Sequence, residues 1–177
     1  GEQKMRFVRK SISAYYEFGQ FLFPIGPKIE LYKAARAYLK TNKVDAIIAT
    51  GDPFILFKYA SKLSKEFDLP WIADYRDPWS HNEHIVTNKF LQTWHSYFEK
   101  KYVSTASHIS TVSNFVQKKI ESLVPGKPFS ILPNGYDPEV MDSIQTIPQA
   151  TDKLQIAFVG TIYKWHPLES FLRTASM

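Results

Sequence analysis

From Lys28 to Lys43 apolar side chains return every third or fourth position, at Ile29, Tyr32, Ala35 or Arg36, and Leu39, and this spacing predicts a helix. The period then changes. VDAIIAT, residues 44–50, is a short run rich in β-branched residues and reads as a strand buried on both faces. Gly51-Asp52-Pro53 follows, with a turn glycine, a capping-type aspartate and a proline suited to a first helical position, so a helix is expected there with Leu56, Ala60, Leu63 and Phe67 on one face. WIADY (71–75) is the next strand. A long helix over about 88–105 carries Leu91, Trp94, Phe98 and Tyr102, and HISTVS is strand-like. Ser113 or Asn114 can then cap a helix bearing Val116, Ile120 and Leu123, and FSILPNG ends in an Asn-Gly turn. Strands and helices alternating through short connections argue for βαβ units, hence α/β class with a parallel sheet and helices on both faces.

The ends of the chain are patterned differently. Residues 1–27 hold a basic start, the aromatic stretch AYYEFGQFLFP, and Pro24, Gly26 and Pro27, which end whatever precedes them. Residues 136–152 are polar with Pro138 and Pro148 and read as a linker. LQIAFVG is then a fresh buried strand, and HPLESFLRTASM starts a helix.

Composition narrows the function classes. Hydrophobic residues make up 44% and charged residues 22%, the balance of a folded chain. With no cysteine among 177 residues, disulfides, thiolate metal sites and cysteine nucleophiles are excluded, and a reducing, cytoplasmic setting is expected. No apolar run approaches the roughly 20 residues that cross a bilayer. The net charge of +5 comes mostly from lysines spread along helical segments. It reads as solvated helix faces, or as attraction to the phosphates of a nucleotide or of an anionic membrane surface. Nucleic acid is not expected, because zinc-finger spacing, ribonucleoprotein aromatics and an arginine stripe are all missing.

In an open parallel sheet ligands bind beyond the carboxyl ends of the strands. Four junctions there carry candidate chemistry: Thr50-Gly51-Asp52-Pro53, Asp74 to Ser80, Asn134-Gly135, and Gly160-Thr161. Each also has a structural explanation: Asp52 and Asp77 as helix caps, Asn134-Gly135 as a turn needing positive φ, and Gly160 as a close approach of backbone. Capping does not explain Asp74 and Arg76. A carboxylate at the end of a buried strand needs partners, and the same pair can grip ligand hydroxyls while Trp79 or Trp71 offers a flat face to a sugar. His81 is a further polar contact or proton shuttle. His81 and His84 lack an evident third ligand, so no metal site is expected, and the chain has no dinucleotide fingerprint, phosphate loop or paired-histidine zinc motif.

Five segments in order, VDAIIATGDPF, LPWIADYRDPWS, FEKKYVSTASHISTVSNF, FSILPNGYDPE and LQIAFVGTIY, resemble the group 1 glycosyltransferases of family 4, which have the GT-B fold. The resemblance covers about residues 28–172. It implies two Rossmann-like domains facing across a cleft, of which this chain holds the later part of the acceptor-side domain (1–148, with a linker at about 137–152) and the opening of the donor-binding domain (153–177). It implies transfer of a sugar from a nucleotide-sugar to a glycan or lipid-linked acceptor in cell-surface polysaccharide biosynthesis, with retention and without a metal. The nucleotide-sugar is then a co-substrate and no cofactor is needed.

By the same resemblance Asp74, Arg76 and Asp77 face the reacting sugar, Thr50, Gly51 and Asp52 with Trp79 and His81 serve the acceptor, and Gly160 and Thr161 lie near the donor phosphates. Lys164-Trp165-His166-Pro167 departs from the family's usual Lys-Gly. Asp137-Pro138-Glu139 is the nearest approach to a metal-binding Asp-x-Asp and reads as incidental. The fragment alone is expected to be inactive, located in the cytoplasm or peripherally at the inner membrane face, and dimeric through surfaces that truncation exposes. Two alternatives stand beside the enzyme: a non-catalytic sugar- or partner-binding module of the same fold, and a GT-B-type sugar-nucleotide epimerase.

Overall fold

The computed structural model describes residues 2–82, 88–143, 156–163 and 166–175. His84, Lys164, Trp165 and the first residues of the strand expected over LQIAFVG lie outside them. The chain divides into two compact units, Gly1–Gly135 and Tyr136–Met177.

The first unit opens with helices α1 (Glu2–Leu22) and α2 (Ile29–Thr41). It continues as β1 (Ile47–Gly51), α3 (Ile55–Phe67), β2 (Trp71–Tyr75), α4 (Lys89–Val103), β3 (His108–Thr111), α5 (Asn114–Leu123) and β4 (Phe129–Ile131). The four strands form one sheet in the order β1-β2-β3-β4, every pair parallel. This is the α/β, Rossmann-like class that the alternating periods predict, with helices around the sheet. Asn88 and Ser113 cap α4 and α5, accepting from Phe90 N and Val116 N.

The sheet advances one strand at a time, so right-handed crossovers carry α3, α4 and α5 over the same face. The core lies there. Ala49, Trp71, Ala73, Tyr75 and Ile109 of the strands pack on Phe57 and Ala60 of α3, Phe98 and Val103 of α4, and Ile120 of α5. The reading of β1 as buried on both faces is therefore corrected. Alternate residues point away from the crossover helices, and Ile48 is 68% exposed.

Two glycine readings change as well. Gly135 is not among the positive-φ glycines, so the turn there needs no left-handed backbone. Gly160 has φ 147°, and a Cβ would meet only Phe158 at 3.8 Å, so conformation rather than close approach favours glycine. The close approach is at Gly51, where a Cβ would collide with the Phe54 ring and come within 3.2 Å of Phe57. Gly51→Ala is expected to lower stability by about 2 kcal/mol through overpacking, read as a lower urea midpoint with unchanged slope. An unchanged midpoint would show that Phe54 moves aside freely.

Lys58 of α3 is only 2% exposed, and its ammonium donates to the carbonyls of Gln20 and Phe23 at the end of α1. Those carbonyls have no partner within the helix, so the lysine fixes where α1 ends. Burial, then the nearby Lys62 and Lys101, bring its pKa down to about 8.

In the second unit α6 (Pro138–Met141) is capped by Asp137, which accepts from Glu139 N at 3.0 Å, and α7 (Leu168–Ala175) forms as expected. The expected strand does not appear over residues 156–160. They are irregular and exposed, Val159 at 94%, and no strand among the described residues pairs with them to supply ladder bonds.

Candidate functional site at the carboxyl edge of the sheet

Strand register builds the site. Thr50 pairs with Asp74, Asp74 with Ser110, and Ser110 with Ser130, so one polar residue from each strand stands in a row on the face away from the crossover helices. Asp74 is nearly buried. One carboxylate oxygen accepts from Ser110 Oγ at 2.7 Å and the other from Arg76 Nε at 3.3 Å. Arg76 also donates through Nη1 to Asn134 Oδ1 at 2.9 Å, which ties the end of β2 to the loop after β4. The Arg76 side chain keeps 46% of its surface exposed against 10% for Asp74, so the guanidinium is held on one side and open on the other.

Thr50, Asp74, Arg76, Ser110 and Ser130 line one open cavity of about 520 Å³, with Ile48, Ile72, His108 and Leu132 completing its floor. That volume is in the range of small-molecule sites. A satisfied carboxylate beside a half-exposed guanidinium can orient hydroxyl groups, the acid accepting and the arginine donating.

The other expected residues are placed elsewhere. Gly51 belongs to the opposite, helix-covered face. Asp52 and Asp77 are exposed and make no hydrogen bond or ion pair among the described residues. Neither caps a helix as expected. Helix α3 starts after Phe54 without a side-chain cap, and α4 starts after Asn88. Gly160 and Thr161 belong to the second unit, where both are exposed.

Trp79 is a clear correction. Only 4% exposed, it stacks on Phe54 at 5.1 Å and 1° and on Phe21 at 5.2 Å, so neither it nor the fully buried Trp71 presents a free ring to a sugar. Its indole Nε1 donates to His95 Nδ1 at 2.7 Å. With Nδ1 accepting, the imidazole carries its proton on Nε2, which lies 3.3 Å from Glu17 Oε1 on α1. Burial lowers the His95 pKa. Burial, followed by the Asp52 charge, raises that of Glu17.

Sequence reasoning missed Glu99. It is 2% exposed on α4 and braces the lip of the site from behind: Oε1 accepts from Tyr75 Oη and Oε2 from Ser80 N, both at 2.9 Å. Burial raises its pKa, although hydrogen bonds from Ser80 and Tyr75 pull the other way. Ser80 Oγ in turn meets His81 Nδ1 at 3.0 Å, and Lys119 Nζ donates to the His81 carbonyl. The Arg76–His81 loop is thus pinned to α4 and α5, while Arg76 reaches out over the polar row.

A parallel α/β sheet whose polar groups gather beyond one end of its strands, on a loop braced by the buried Glu99, is a Rossmann-like module, a class in which that edge is where ligands bind. The sequence model described as Glycosyltransferase Family 4 matches residues 6–140, and the chain belongs to that family. The match includes most of α1, the whole sheet and most of α6, and ends before Gly160 and Thr161. No curated protein and no solved structure matches the chain. Among the described residues no cluster of three or more histidines and carboxylates could hold a metal ion.

Proposed function

We propose that the Thr50–Asp74–Ser110–Ser130 row with Arg76 is the acceptor side of a sugar-transfer site. In this reading the family's chemistry moves a sugar from a nucleotide-sugar to a hydroxyl of a glycan or lipid-linked acceptor, with retention of configuration. No metal or other cofactor enters the proposal. The observation that carries it is the Asp74–Arg76–Asn134 chain, which joins residues 58 positions apart around an open cavity in a family 4 glycosyltransferase.

The contribution of these residues is positioning. Asp74 accepts from an acceptor hydroxyl and Arg76 donates to its neighbour, which fixes the attacking oxygen before transfer. Asp77, exposed and unpaired, stands one residue further along the same lip. Donor groups such as Gly160 and Thr161 belong to the proposal only through resemblance.

Amide chemical shifts of the chain, titrated with a panel of acceptor-type oligosaccharides and separately with nucleotide-sugars, test this. Saccharides are expected to move the amides around Asp74, Arg76 and Asn134, and Asp74→Asn with Arg76→Ala is expected to weaken binding at least roughly tenfold. Saccharide shifts confined to another surface, or equal binding by the double variant, would reject the assignment.

A further inference from the structure

We propose that Asn134 is a self-modification site, at which the Gly135 amide converts the asparagine side chain to a carboxylate and so changes the charge beside Arg76. Of the five asparagines, Asn42, Asn82, Asn88, Asn114 and Asn134, only the last precedes a glycine. Without a Cβ the next main-chain nitrogen can approach the side-chain carbonyl carbon closely. Three of the others are also held: Asn42 Nδ2 donates to the Tyr38 carbonyl, Asn88 Oδ1 accepts from Phe90 N, and Asn114 lies in α5. Asn134 and Gly135 lie in the irregular, exposed stretch after β4. Among the described residues neither the Gly135 N–H nor Asn134 Nδ2 makes a hydrogen bond.

The chemistry needs only water. The Gly135 nitrogen gives its proton to solvent hydroxide and attacks Asn134 Cγ. The Cγ–Nδ2 bond then breaks, Nδ2 takes a proton from water and leaves as ammonia, and a succinimide ring remains. Water next opens one of the two ring bonds to the Gly135 nitrogen. Breaking the bond to Cγ leaves aspartate, and breaking the former peptide bond leaves isoaspartate, whose main chain runs through Cγ. Arg76 Nη1 donates to Asn134 Oδ1 at 2.9 Å, and this is the oxygen that gathers negative charge while Cγ is tetrahedral. The contact engages neither the nitrogen that attacks nor the one that leaves. In the aspartate product Arg76, which already donates to Asp74 at 3.3 Å, faces a second carboxylate. In isoaspartate the carboxylate sits on the former main-chain carbon, so the tie between β2 and the loop after β4 is broken. The conversion does not rest on the sugar-transfer reading, although it alters the arginine on which that reading depends.

The test is storage of the folded chain at mildly acidic and mildly alkaline pH, with peptide mapping by mass spectrometry and enzymatic methyl labelling of isoaspartate over time. Asn134 is expected to gain the mass of an acid before any other asparagine, with isoaspartate present, and faster at the higher pH. Gly135→Ala is expected to slow the conversion at least roughly tenfold, because a Cβ hinders the near-attack approach of the nitrogen. That variant keeps the fold, since a Cβ there meets nothing within 4 Å and the backbone is not left-handed. The Arg76 Nε–H resonance is expected to move as the acid forms, and Asn134→Asp is expected to show one of the moved signals from the start. Asn134 staying intact in the folded chain while the same chain in urea converts would overturn the proposal. So would equal rates in wild type and Gly135→Ala, or an Arg76 resonance unmoved by full conversion.

Discussion

Replacing Glu99 with alanine is expected to lower the melting temperature by roughly 10 °C, from a loss of about 3–5 kcal/mol. The carboxylate is the partner of two buried donors, Tyr75 Oη and Ser80 N, and alanine strands both while leaving a cavity under the Arg76–His81 loop. Glu99→Gln should cost less, because the amide oxygen still accepts from Ser80 N and the Tyr75 hydroxyl can turn to accept from the new amide. The two variants also separate charge from shape. Burial raises the Glu99 pKa, so the folded chain binds its proton more readily than the unfolded chain does. Stability from this group is then greatest below the unfolded carboxyl value and is lost as pH rises through the folded one. Glutamine does not titrate. The stability difference between wild type and Glu99→Gln should therefore shrink as pH rises from about 4 to about 7, measured by urea unfolding at each pH. A difference that grows with pH, or an alanine variant that melts like wild type, would refute the bracing role.

Glu99 also shows why the sequence gives up only part of the site. Its helix was legible from Leu91, Trp94, Phe98 and Tyr102, yet the residues that become buried are His95, Phe98, Glu99, Tyr102 and Val103. The stripe is rotated because the Arg76–His81 loop folds over one flank of α4, a tertiary event without local periodicity. The i, i+4 pair His95 and Glu99 was its only trace. Strand β2 was readable to the residue, since WIADY is bounded by Pro70 and the charged turn. Strand β1 was readable as a strand and misread in burial, because an apolar run reports strand propensity and not which faces its neighbours cover. Asp52 and Asp77 looked like caps because each precedes a proline. The helices begin further on, α3 after the partly buried Phe54 and α4 at Asn88, whose side chain caps it by accepting from Phe90 N. Of the candidate residues, Thr50, Asp74 and Arg76 do converge, because a parallel register brings equivalent positions of adjacent strands together. Ser110 and Ser130 fall in the same row, yet nothing in a serine's local sequence marks it for that place.

Trp79 carries the other large effect. Trp79→Ala is expected to cost about 3–5 kcal/mol, because it removes a ring held between Phe21 and Phe54 and opens a cavity where α1 meets the domain body. Trp79→Phe should keep the stack and lose only the donor to His95 Nδ1, for about 1–3 kcal/mol. Thermal melts of the two variants, read by circular dichroism, give the order alanine, phenylalanine, wild type from least to most stable. The sequence placed Trp79 on the surface because it follows a polar, proline-containing loop. The structure instead turns the loop inward, so the indole locks α1 to the strand end and Arg76 is left at the lip. That division predicts a second readout. Trp79→Phe should leave saccharide-induced shifts at Asp74 and Arg76 in place, since the ring stays behind the polar row rather than in it. A phenylalanine variant that melts like wild type yet loses the saccharide response would return Trp79 to the binding surface.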